Sequence, residues 1–347
     1  MDPRPWLLFF CAAVLVGLSG CGGHKPFVWQ EPAERVVWPP PPEVPRLRYL
    51  HSFARPADLR DEPGQGERVL RWLLGKTSVD LPLATPYAVA MDGDDALWIA
   101  DNGSRMLYRY DLPRGKVDYI REAGGVALLS PIGLAVDQAR GRLLVSDSEL
   151  GEILVLDLRG RLLSRWTPPG GFGRPGGVAL DSAGRLYVAD VIRRQVFVFD
   201  PAGAVIAERD SRLEEGGRFG RPVAVAVGPR DELLILDAGT FRIEVQDSRG
   251  DLLGTIGKLG DVPGTFARPR GVAVSAQGLV LVSDAAFDNI QVFDLTGRLL
   301  LYFGTPGVGV GQFSLPAGLC FDDEGRVFVA DAFNRRVQAF EFLSPGR

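Results

Sequence analysis

From Pro316 to Phe342 the chain reads PAGLCFDDEGRVFVADAFNRRVQAFEF. Three short runs rich in β-branched and aromatic residues are separated by clusters of Asp, Gly and Asn, which is the pattern of antiparallel strands joined by tight turns. The same design opens at Pro86 (PYAVAMDGDDALWIADNGSRMLYRYD) and recurs at Pro131, Pro175, Pro222 and Pro269, at intervals of 45, 44, 47, 47 and 47 residues. That period is one small antiparallel sheet and exceeds a single strand-helix unit. Units of this kind bury their faces only against one another, so six of them predict an all-β, six-bladed propeller with four-stranded antiparallel blades.

In the fifth repeat RGVAVS reads as strand a, LVLVSD as b, NIQVFD as c and RLLLYFG as d. A Phe or Leu stands three residues before each proline, at Leu83, Leu128, Phe172, Phe219, Phe266 and Phe313, and reads as a plug between neighbouring blades. The sixth repeat lacks a strand d after Phe342. Leu47 to Phe53 (LRYLHSF) matches that strand and is otherwise an orphan, so it is expected to close the last blade. Residues 47–343 would then form the propeller. An insertion over 54–81 follows, in which Glu67 to Leu74, ending at Gly75, suits a short amphipathic helix covering a face, with binding of a partner as the alternative.

The chain has 347 residues, 46% of them apolar, with 43 Gly, 26 Pro and a formal charge of −4. This composition supplies an ample core and many turns, and it weighs against nucleic acid, whose binding rests on a basic surface. Trp6 to Val16 is an apolar run too short to span a bilayer comfortably. The following Leu18-Ser19-Gly20-Cys21 resembles a bacterial lipobox, with a plain secretory signal or a short span as the alternatives. That resemblance implies a signal peptide over 1–20 and lipid on Cys21, and Gly22 in place of an aspartate favours the outer membrane. Residues 21–46, with Trp38-Pro39-Pro40-Pro41-Pro42-Glu43-Val44-Pro45, read as an anchor and a semi-rigid extended tether, its Trp29 and Trp38 incidental, with their docking on the propeller or a partner as the alternative. Cys11 would leave with the signal. Cys320, between Leu319 and Phe321, then remains as a small core residue.

The succession P-x-G-x-A-x-D, L-x-V-A-D, R-x-V-Q-x-F resembles the NHL repeat. With the lipobox and the Pro-rich segment, the chain resembles NHL-repeat lipoproteins of bacterial envelopes, a group that implies the six-bladed propeller and offers no catalytic residues to carry over. Ala224 replaces the glycine of the motif, and Gly228 and Ser275 replace the aspartate after strand a. Only His24 and His51 are present beyond the signal. That removes the imidazole-bound zinc of the amidating lyases that share the NHL fold, while calcium-dependent lactonase chemistry stays open. No C-x-x-C-H site for haem occurs. No cofactor is expected.

The aspartate ending each strand b (Asp101, Asp147, Asp190, Asp237, Asp284 and Asp331) invites a metal-ring reading. One carboxylate per blade is instead the mark of a local task done six times, capping a turn by accepting backbone N–H bonds. If strand a starts at the top, the b–c and d–a loops lie together there. They carry Arg105, Arg174, Arg193, Arg194, Arg221, Arg242, Arg268, Arg270, Arg335 and Arg336, mixed with Glu149, Glu152, Asp261 and Asp288. This face is expected to receive a protein or anionic partner. The function so read is a non-catalytic, lipid-anchored binding or scaffold propeller; an envelope enzyme with a channel active site and an assembly factor for surface electron-transfer complexes are the alternatives.

Overall fold

In the structure, a computed structural model, residues 27–29, 35–59, 80–93, 95–213 and 217–343 are described. The signal, Cys21, His24 and the Glu67–Leu74 helix lie outside them. Six antiparallel sheets form the blades: five have four strands, opening at Pro86, Pro131, Pro175, Pro222 and Pro269, and the sixth has five. Strands b and c sit between two neighbouring blades and are buried along their length, as in Leu186–Asp190 and Gln195–Phe199. They therefore read as continuous apolar runs. Strand d is the outer edge, and Val205–Arg209 alternates between half-buried and exposed residues accordingly.

The plug residues lie at the seams. Phe172 meets Phe197 edge-on at 5.5 Å and shares a core with Val155 of the preceding blade, and Phe313 lies 5.9 Å from Phe340. The glycine of the proline-opened motif has an equally local reason. A Cβ at Gly271 would fall 2.4 Å from the carbonyl oxygen of Ala317, and one at Gly318 would fall 2.6 Å from that of Tyr87, so the innermost strands of adjacent blades approach to backbone contact. Departures from the motif are absorbed in place. The Ser275 hydroxyl accepts from the backbone N–H groups of Gln277 and Leu279, and where Gly228 stands the Glu232 carboxylate accepts from that of Arg230.

Leu47–Phe53 pairs antiparallel with Arg336–Phe342, from Leu47 opposite Phe342 to Phe53 opposite Val337. The N-terminal strand thus supplies strand d of blade 6. The Pro-rich segment departs from the extended-spacer expectation. Val37–Trp38 adds a fifth strand against Arg48 and Leu47, and the Trp38 ring lies 5.6 Å from Phe303 and 5.7 Å from Phe340. Trp29 sits beneath the Arg326 guanidinium at 4.7 Å, and the Phe27 N–H donates to the Leu112 carbonyl of blade 1. Phe27 and Trp29 strap the seam between blades 6 and 1 and Trp38 the seam between blades 5 and 6, because two indoles and a phenyl ring remove more apolar surface from water docked than free.

Candidate functional site

The loops at the end where each strand a begins are pinned from below. Asp190 accepts from the N–H groups of Gly173 (2.7 Å), Arg174 (3.0 Å), Ile192 (3.1 Å) and Arg193 (2.9 Å), so one carboxylate joins the d–a loop to the b–c loop. Asp237 repeats the arrangement with Gly220, Arg221, Gly239 and Thr240. Asp101, Asp147 and Asp284 do the same around Thr85, Ser130 and Arg268. Asp331 varies it: the carboxylate accepts from Ser314 N–H, Asn334 Nδ2 and Arg336 Nε, and its pKa is raised by burial against those bonds. Among the described residues no three of His, Cys, Asp and Glu are grouped to hold a metal.

A second set of clamps escaped the sequence reading. The third residue of strand c reaches back to the preceding d–a loop: Gln291 binds Gly264 N–H and the Thr265 carbonyl, Gln338 binds Gly311 N–H and the Gln312 carbonyl, and Glu244 accepts from Arg212 N–H and the Ser211 hydroxyl. The signal was the Gln or Glu recurring at one register inside an otherwise apolar strand. The aspartate clamp in every blade, joined by the second in blades 4 to 6, makes the loop face a preorganised surface.

The ten arginines of this face are not equivalent. Arg336 donates to the carbonyls of Val308, Gly309 and Gln312 and to Asp331, Arg193 donates to those of Pro169 and Gly170, and Arg194 to that of Phe219. Their charges hold loops together, so they are poorly disposed to meet a partner. Arg242 is half-buried and has a partner of its own. Arg105, Arg174, Arg221, Arg268 and Arg335 are exposed, and among the described residues none of their guanidinium groups has a hydrogen bond or ion pair. At the same end of the blades stand Ile192, Val308 and Phe333, 65%, 78% and 68% exposed, with Phe333 on the loop of Arg335.

Arg270 differs from the rest. It is the second residue of its strand a, where the other blades carry Tyr87, Ile132, Gly176, Val223 and Ala317, and there it is half-buried. Its side chain helps to line a cavity of about 70 Å³ in the central channel, whose walls are the innermost strands of all six blades. Cys320 and His51 lie away from it. The thiol is packed in strand a of blade 6, its pKa raised by burial, and the imidazole Nε2 sits 3.2 Å from the Asp58 carbonyl with its pKa lowered by burial.

A family model of the NHL repeat matches residues 172–199 and 313–340, each running from the plug phenylalanine through strand c. No curated protein matches the chain. Among solved structures, virginiamycin B lyase from Staphylococcus aureus is similar with a TM-score of 0.56 at 15% identity, over 75% of this chain and 96% of that one. A gluconolactonase from Xanthomonas campestris gives 0.56 at 19%, over 75% and 87%. An auxiliary nutrient binding protein from Bacteroides thetaiotaomicron gives 0.58 at 14%, over 76% and 70%. A lyase, a lactonase and a binding protein on one frame show that the likeness is one of fold and leaves chemistry to the site. Two blades matched by a repeat model, and four more built to the same register, make this chain a six-bladed β-propeller carrying NHL repeats.

Proposed function

We propose that the chain is a non-catalytic, lipid-anchored propeller of the bacterial cell envelope that offers its loop face to a protein partner. One observation carries the reading: exposed arginines without a partner among the described residues share one end of the blades with exposed Ile192, Val308 and Phe333, and the loops there are pinned by the strand-b aspartates and, in blades 4 to 6, by a Glu or Gln of strand c as well. Arginine and exposed apolar side chains on a rigid frame are the composition of a recognition surface, since little entropy is lost when it is covered.

The docked N-terminal segment adds a direction. Phe27 is held at the turn after strand c of blade 1 and Trp29 at the start of strand b of blade 6, both at the end of the blades opposite the arginine loops. Cys21 stands six residues earlier, a reach of about 20 Å at full extension. A lipid on Cys21 therefore turns the arginine face away from the membrane and toward whatever docks there. Cys21→Ala is expected to accumulate as unprocessed precursor, or to leave the membrane fraction; a normally processed mutant with unchanged membrane fractionation refutes the anchor.

The partner face is tested by crosslinking and co-purification from the native envelope. Replacing Arg105 and Arg335 by Glu together with Phe333→Ala is expected to reduce the recovered partner about tenfold or more, because reversed charges on exposed loops disturb encounter and not folding. Arg159→Glu, on a turn at the opposite end, serves as the control and is expected to change nothing. Equal loss in both variants, or in neither, places binding elsewhere.

A further inference from the structure

Among the described residues Arg270 is the one charged residue lining the channel cavity, and Tyr87 lies with it there. Among the described residues the charged groups that act on it are Arg268 and Arg221, with no carboxylate. Burial lowers its pKa, Tyr87 works the other way, and the two arginines lower it further. A guanidinium so placed still keeps its proton at neutral pH. The fold thus holds a half-buried cation under the influence of two like charges, an arrangement that costs free energy until an anion arrives.

Backbone geometry aims the cluster. Arg221 and Arg268 each stand immediately before the proline that opens strand a, with their N–H groups fixed on Asp237 and Asp284, so consecutive blades deliver them to the rim of the channel in register. Arg174 holds the same position one blade earlier, fixed on Asp190. The remaining walls are supplied by residues such as Ile132, Leu134, Val223, Val225 and Val272.

We infer that the channel mouth is a carboxylate site, in which Arg270 is the inner partner and Arg221 and Arg268 form the rim. One inward guanidinium fork matches two oxygens on a carbon stem, and the apolar wall beneath suits that stem. A phosphate would turn oxygens without donors toward Val225 and Val272. The carboxylate can be an organic acid entering the channel or an acidic side chain of a docked protein. The site stands whether or not the loop face binds a partner.

Calorimetric titration of the full-length protein in detergent tests it with three probes: butyrate, inorganic phosphate, and an N-acetylated, C-amidated pentapeptide whose only charge is a central Glu. Saturable binding of butyrate or of the peptide is expected, with phosphate weaker than either. Butyrate alone identifies a free acid as occupant, and the peptide alone identifies a protein side chain. Arg270→Gln is expected to weaken binding about tenfold or more, and the exposed pair Arg221→Gln with Arg268→Gln severalfold without disturbing the fold. Arg335→Gln, on a b–c loop, leaves it unchanged. No saturation by any probe up to ~10 mM, beyond the weak end of useful affinities, overturns the site, as does tighter binding of phosphate or full binding by the Arg221/Arg268 double variant.

Discussion

A chain beginning at Ala54, without the closing strand, is expected to lose cooperative unfolding altogether, whereas one beginning at Pro39 melts about 5–10 °C below the full-length protein. The first deletion removes Leu47, Tyr49, Leu50 and Phe53, whose exposures are 0%, 8%, 8% and 0%. Burying four such side chains stabilises by roughly 6–12 kcal/mol, which is the whole stability of an ordinary domain. It also bares the edge of Arg336–Phe342, leaving unpaired N–H and C=O groups beside a buried core. The second deletion keeps that strand and strips only Phe27, Trp29 and the Val37–Trp38 strand, whose rings are half-buried. Calorimetry distinguishes the two. Equal losses from both truncations would mean that the strap, and not the strand, closes the ring.

The closing strand was legible because its evidence is local and repeated. Leu47–Phe53 has the pattern of Leu299–Phe303, and only one blade lacked such a strand. The strap was not legible in the same way. Trp38 docks on Phe303 and Phe340, residues that no short-range periodicity links to a Pro-rich stretch, so composition alone suggested a spacer. The arginine face shows the same division. Strand order places a loop at one end of the blade, and all ten arginines do belong to the end where strands a begin. It cannot say that Arg336 and Arg193 are engaged by carbonyls more than twenty positions away. Arg270 left a trace that could have been weighed more heavily: a charge at a strand-a register where the other five blades carry Tyr, Ile, Gly, Val and Ala. In the structure that residue lines the channel cavity.

Asp237→Ala is expected to lower stability by about 3–5 kcal/mol, since it strands four backbone donors from two loops at once. The carboxylate is 2% exposed and accepts from Gly220 and Arg221 N–H at 2.6 Å each, from Gly239 at 2.9 Å and from Thr240 at 3.3 Å. The four N–H groups belong to exposed or half-buried loop residues that water can partly reach after truncation, so the cost stays below four full desolvation penalties. Asp237→Asn keeps one carbonyl oxygen but sets an amide donor against one N–H group, and about half the loss is expected. Asp251→Ala, on the opposite turn of the same blade and exposed, is the control and costs at most about 0.5 kcal/mol. Urea unfolding of the three variants gives the ranking directly. The same experiment separates turn-capping from a metal ring: capping predicts a wild-type midpoint indifferent to chelator and to added calcium. A ring of liganding aspartates predicts that calcium raises the wild-type midpoint and that the Ala variant loses the response. A calcium-dependent rise that vanishes in Asp237→Ala would overturn the structural role assigned to all six aspartates.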